Sequence, residues 1–130
     1  MNKLVFLGGT CNGSTWREEI IPKLNIMYFD PVVDDWNEEA RELEEKTKNE
    51  ADYNLFVITP KMVGVFSIAE VVDCSNKCPE KTILCILEDD GFSVFNNSAY
   101  SSLLAVADLV EENGAEVFYR LEDVVEYLNK

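Results

Sequence analysis

The chain has 130 residues, 47% of them hydrophobic, and a formal net charge of −14 from 25 acidic and 11 basic side chains. This is enough for one domain, residues 1–130, with its own core, and the charge opposes general binding to a nucleic-acid polymer or an anionic membrane surface. Histidine is absent, which excludes every Ser-His and Cys-His catalytic scheme and leaves acid-base work to carboxylates, Tyr, Lys or Cys.

Strands and helices are expected in alternation. "KLVFLG" (3–8) reads as the first strand, followed by a glycine turn and a helix over "TWREEIIPKL", where Thr15 and Glu18 fit a capping box and Pro22 distorts or ends the helix. "IMYF" (26–29) is the second strand, and Asp30-Pro31 forces an extended or turning backbone after it. The charged segment "WNEEARELEEKTKNEA" reads as a helix with a solvated face, with Glu42 and Lys46 at i,i+4. "YNLFVIT" (53–59) and "TILCIL" (82–87) are continuous apolar runs that suit central strands buried on both sides. The helix "SIAEVVDCSN" lies between them, and "AYSSLLAVADLVEENG" with its Gly114 stop, the strand "EVFY" (116–119) and the helix "LEDVVEYLN" complete the chain. Such alternation implies a parallel sheet with helices on both faces.

No stretch reaches the length of a membrane-spanning helix, and the apolar run in "MNKLVFLGGT" is too short for a signal peptide, so the expected location is cytoplasmic. Cys11, Cys74, Cys78 and Cys85 show no CxxC spacing. They read as reduced thiols packed as small apolar groups, and no metal site is expected.

Ligands of open parallel sheets bind beyond the carboxyl ends of the strands. The loops in question are "GGTCNGS", "DPVVDDW", "TPKMVGVFS" and "EDDGFSVFNNS", rich in glycine, hydroxyls, amides and carboxylates but poor in cations. That asymmetry suits a neutral, hydroxyl-rich ligand better than a polyphosphate. Gly8 and Gly9 allow close approach of the backbone, although "LGGTCNGST" is neither GxGxxG nor a P-loop and also fits a plain strand-to-helix turn. Asp34 and Asp35 fit either a ligand contact or a turn.

Within "GVFSIAEVV", Glu70 is the only charged residue. On a helical wheel Val65, Ile68, Ala69 and Val72 form the expected core stripe, with Glu70 off it. Ser67 and Glu70 also fit an S-x-x-E capping box. Periodicity alone therefore favours a cap or a solvated carboxylate, whereas the position of this helix start, facing the ligand side of the sheet, opens a functional role.

In sequence, "VFLGGTCNGSTWREEIIPKL", "YFDPVVDDW" and "EADYNLFVITPKMVGVFSIAEVVDCSNK" together resemble the nucleoside 2-deoxyribosyltransferase-like family over roughly the first two-thirds of the chain. The resemblance implies a flavodoxin-like, doubly wound five-stranded sheet and cleavage or transfer of the N-glycosidic bond of 2-deoxyribonucleosides or nucleotides, without a cofactor. It implies that Glu70 is the nucleophile, that Asp52 is the family's aspartate at the start of the third strand, and that Gly8, Gly9 and Thr10 form the substrate loop. It further implies a homo-oligomer, at least a dimer, in which Asn96 or Asn97 stands for an asparagine reaching a neighbouring subunit's site. Six residues before the nucleophile the transferases carry an aspartate and related glycosidases a serine; this chain has Gly64. Asp34, Asp35, Asp73 or a carboxylate of a neighbouring subunit could substitute for that helper. A protein that binds a nucleotide, nucleoside or ADP-ribose-like ligand without chemistry is the alternative.

Overall fold

The computed structural model describes residues 2–11 and 13–130, so Asn12 of the glycine loop lies outside the described residues. In chain order the elements are β1 (Leu4–Gly9), α1 (Trp16–Ile20), β2 (Met27–Phe29), α2 (Glu38–Glu50), β3 (Tyr53–Ile58), α3 (Phe66–Lys77), β4 (Thr82–Ile86), β5 (Asp89–Asp90), β6 (Ser93–Val94), α4 (Asn97–Glu112), β7 (Glu116–Phe118) and α5 (Leu121–Leu128). Five strands form one parallel sheet in the order β2-β1-β3-β4-β7. This is the flavodoxin-like order, in which the chain reverses its direction of winding between β1 and β3.

The period of two along each strand divides the core between the two faces of the sheet. Phe6, Phe56, Ile58, Leu84 and Ile86 face α3 and α4, where they meet Val71, Cys74, Leu103 and Val110. Val5, Leu7, Leu55, Val57, Ile83 and Cys85 face α1 and α5, packing on Trp16, Ile20, Val124 and Leu128. The two apolar runs read as central strands are indeed buried on both sides. Burial pushes the Cys74 thiol up to about 11 and the Cys85 thiol up to about 12, which leaves them inert packing groups. Among the described residues no helix is long and apolar enough to cross a membrane.

Several local expectations need correction. Thr15 makes no side-chain cap bond at α1; its hydroxyl reaches Glu19 Oε2 at 3.4 Å. At α3 the helix starts at Phe66, so Val65 holds the cap position and Ser67 lies inside the first turn, with no side-chain cap. The capping side chains are instead Asn37, which accepts from Ala40 N at 2.9 Å, and Asn96, which accepts from Ala99 N at 2.8 Å. The segment "EDDGFSV" also forms a two-stranded antiparallel hairpin, β5–β6, too short to show alternation in sequence. By contrast Pro22 lies in a single 3-10 turn that follows α1, and Gly114 ends α4 at φ +105°.

The end of α2 is fixed from below. The Lys81 ammonium donates to the carbonyls of Lys48, Asn49 and Ala51 at 2.9–3.1 Å, a cation at a helix C-terminus. The buried Asn54 of β3 adds Nδ2 to the Lys48 carbonyl at 3.1 Å. Together they fix the last turn of α2, from which Lys48 reaches Glu70 of α3.

Candidate active site

At the carboxyl ends of β1 and β3, the loop after β1 is bound to β3 on both sides of Thr10. Thr10 N donates to Val57 O at 2.8 Å, and Thr10 Oγ1 accepts from Thr59 N at 3.0 Å. Gly9 precedes it at φ +113°, where a Cβ would overlap the Val57 carbonyl oxygen. Only glycine lets the two backbones come this close. Gly9→Ala is therefore expected to destabilise the fold by about 2 kcal/mol or more, read as a lower midpoint in urea.

Arg17 reaches under the loop from α1. Its Nε donates to Leu7 O at 3.0 Å and its Nη1 to Thr10 O at 2.8 Å, while Nε also lies 3.5 Å from Asp30 Oδ1. Burial draws the guanidinium pKa down, against the pull of Asp30, but an arginine remains charged throughout the accessible range. Trp16 Nε1 donates to the same Thr10 carbonyl at 2.7 Å. Gly9 and Thr10 are thus fixed before any ligand arrives.

Against this loop lies a cavity of about 110 Å³ lined by Gly8, Gly9, Arg17, Val32, Glu44 and Glu70, among others. Two carboxylates share it. Glu70 Oε2 accepts from Lys48 Nζ at 2.6 Å, with both side chains nearly buried (12% and 10% exposed). Lys48 Nζ also lies 3.1 Å from Glu45 Oε1. Burial alone would pull the Lys48 ammonium down, yet the hydrogen bond and charge of Glu70, joined by Glu45, hold it above its ordinary range. Glu44 is half-buried, and its Oε1 accepts from Trp36 Nε1 at 2.9 Å. Burial raises the Glu44 carboxyl above its ordinary range and the Glu70 charge adds to this, with the Trp36 bond opposing.

The expected core stripe of α3 is rotated. Val71, Cys74 and Ser75 are its buried residues; Ile68 and Val72 pack half-buried against the same core while lining an open groove with Ala69, and Val65 is 70% exposed. This rotation turns Glu70 inward toward α2, as a buried partner of Lys48 and neither a cap nor a solvated residue.

A second cavity, of about 180 Å³, is lined by Gly9, Thr10, Cys11, Ile58, Met62, Gly64, Phe66 and Ser67. Gly9, Cys11 and Ser67 line both cavities, so the two adjoin. The rim is tied to the hairpin: Ser14 Oγ donates to Asp90 Oδ2 at 2.6 Å, and Lys61 Nζ lies 3.8 Å from Asp90 Oδ1 and 3.4 Å from the Gly13 carbonyl. Cys11, read from sequence as a packed thiol, is exposed and borders both cavities.

The structure brings Gly8 and Gly9 together with Glu70 in one cavity, and Thr10 lines the adjoining one. It does not bring Asp52. That residue lies at the amino end of β3, about 20 Å of strand away from the carboxyl rim, where its Oδ2 accepts from Leu4 N at 2.8 Å and its own N donates to Leu4 O. Asp34 and Asp35 stand exposed in the loop before α2, outside the lining of either cavity. Asn96 is spent on capping α4, Asn97 begins that helix, and Asp73 is paired with Lys77 at 2.9 Å. The residues that sequence reading overlooked are Arg17, Glu44 and Lys48. Glu44 and Lys48 are one turn apart within a run read as solvated; Thr47 beside them, with Lys48, is buried, and an uncharged residue at that spacing was the available signal.

A model of the family described as "Nucleoside 2-deoxyribosyltransferase like" matches residues 2–89, the part that carries β1 to β4 and both cavities. Neither a search of curated proteins nor one of solved structures found a match.

Proposed function

The chain belongs to the nucleoside 2-deoxyribosyltransferase-like family, and on that footing we propose that it cleaves the N-glycosidic bond of 2′-deoxynucleosides, with Glu70 as nucleophile and Glu44 as acid. The observation that carries this reading is the shared cavity: two glutamates in contrasting environments meet beside a rigid glycine loop. Glu70 is held against an ammonium, which suits an attacking carboxylate. Glu44 has its proton affinity raised by burial, which suits a donor.

Attack of a Glu70 oxygen on C1′ forms a C1′–O bond as the C1′–N bond breaks, through an oxocarbenium-like transition state. The electron pair of the broken bond goes to the base nitrogen, which takes its proton from Glu44. A deoxyribosyl ester of Glu70 remains. A second base or a water then attacks C1′, the C1′–O bond breaks with its electron pair returning to the Glu70 carboxylate, and Glu44 accepts the proton of the incoming group, so that the sugar is transferred or hydrolysed. Neither half-reaction requires a cofactor.

The adjoining 180 Å³ cavity, walled by Ile58, Met62 and Phe66, suits a flat base. The cations of this region are already engaged: Arg17 by carbonyls and Asp30, Lys48 by Glu70 and Glu45, Lys61 by Asp90. This favours an uncharged nucleoside over a nucleotide. Val63, Val65 and Phe66 stand well exposed beside the site, and an apolar edge of this kind supports assembly as at least a dimer.

Gly64 bears on the efficiency of base departure. A Cβ there would meet nothing within 4 Å and its φ is ordinary, so a side chain fits without strain. Gly64→Asp supplies the transferase-type helper at the edge of the base cavity and is expected to raise the rate of base release by about tenfold or more, with the fold unaffected.

The test is incubation with mixed 2′-deoxynucleosides and free bases, followed by chromatography. Exchanged nucleosides indicate transfer, and free base alone indicates hydrolysis. Stabilisation of the protein against heat by a nucleoside, with no product, would replace this reading by ligand binding without chemistry.

A further inference from the structure

Lys48 makes and breaks no bond in the chemistry above, yet it is buried, and two carboxylates from different helices converge on its ammonium. Its backbone is unusually constrained, since Lys81 and Asn54 both donate to its carbonyl oxygen. The bond to the candidate nucleophile is made through Oε2, at 2.6 Å. The two carboxylates also differ in access: Glu70 is 12% exposed, Glu45 52%.

We propose that Lys48 is the positioning residue for Glu70, holding Oε2 so that Oε1 is left to attack, and turning to Glu45 when Glu70 becomes an ester. The inference rests on the reading of Glu70 as nucleophile. Esterification converts Glu70 from an anion to a neutral acyl group, which would strand a buried ammonium without a counter-charge. Glu45, already 3.1 Å away on the preceding turn of the same helix, supplies that charge at both stages. The intermediate therefore keeps a paired Lys48, and departure of the sugar returns the ammonium to Glu70. No proton moves at Lys48 during the cycle. Other charged or titratable groups nearby have partners or functions of their own: Arg17 holds the loop, Glu44 is bonded to Trp36, and Cys74 is a buried thiol.

The test compares the wild type with Lys48→Ala, Lys48→Arg and Glu45→Gln, each assayed for base release with and without added ethylammonium, and for ester formation by intact-protein mass. Lys48→Ala is expected to lose about 100-fold in kcat with little change in KM. Ethylammonium should restore about tenfold of that loss by filling the vacated site. Lys48→Arg should retain most of the rate, and Glu45→Gln should hold less ester at steady state than the wild type. An unchanged kcat in Lys48→Ala, or a loss that neither ethylammonium nor Arg repairs, overturns the positioning role and leaves Lys48 a structural ion pair. Ester levels unchanged in Glu45→Gln overturn the exchange of partners. If Lys48→Ala does not fold, the Arg and Gln variants decide both points. A wild type that releases no base removes the underlying reading as well, whereas a wild type that releases base and a Glu70→Gln variant that does not confine any failure to Lys48.

Discussion

Replacing Glu70 by Gln is expected to lower base release from a 2′-deoxynucleoside by on the order of 10³-fold or more, with substrate affinity largely kept. Gln preserves the shape of the side chain and can still accept from Lys48, so the loss isolates the nucleophilic oxygen and its charge. The variant also leaves the buried Lys48 facing a neutral amide with only Glu45 as counter-charge. A modest loss of stability, about 1 to 3 kcal/mol, should accompany the loss of activity. Chromatography of released base and a urea melt separate the two effects. A Glu70→Gln protein that keeps wild-type rates would remove Glu70 from the chemistry.

Glu44→Gln is expected to have the second-largest effect, about 10² to 10⁴-fold on base release for an ordinary purine or pyrimidine. The loss should shrink for a base that departs readily without a proton, because the acid is then not needed. The pH dependence has a definite sign. Burial raises the Glu44 carboxyl above its ordinary value, so the donor form persists to higher pH than for an exposed glutamate and is lost as pH rises through that raised value. The wild-type rate should fall on that limb, and Glu44→Gln should lack it. The same shift affects stability. The folded protein binds the Glu44 proton more tightly than the unfolded chain does, so stability falls as pH rises from the ordinary glutamate range through the raised value. At neutral pH Glu44→Gln should accordingly melt no lower than the wild type, since Gln removes a charge that burial penalises and can still accept from Trp36. A variant both slower and no less stable is the pattern of a residue kept for function.

The fold was legible because it follows from patterns that survive in one dimension. Val5 to Leu7, Leu55 to Ile58 and Ile83 to Ile86 are apolar at every position since both faces are covered. The glycine loop was legible too, because Gly9 occupies a positive φ that residues with a side chain rarely adopt. The site was only half legible. On the wheel, α3 presents two apolar arcs, and Val65, Ile68 and Val72 look like better core residues than Val71, Cys74 and Ser75. Which arc is buried depends on where α4 and the sheet lie, and the local sequence carries no record of that. The same holds for α2, whose Glu44 and Lys48 differ from their charged neighbours in facing Glu70: Glu44 lines its cavity and Lys48 bonds it. Asp52 shows the opposite limit. A carboxylate at the start of a strand is drawn by resemblance toward catalysis, but the direction of β3 sends it to the far end of the sheet, where it bonds the Leu4 amide.

The central claim is a covalent bond between the sugar and Glu70. It is tested most directly by quenching the protein with acid during turnover of a 2′-deoxynucleoside and locating the adduct by peptide mass mapping. One deoxyribosyl group, on Glu70, is expected in the wild type and none in Glu70→Gln, with retention of configuration at C1′ in the product. Released base accompanied by inversion at C1′ and no adduct on Glu70 would contradict it, and would make Glu70 a base that activates water.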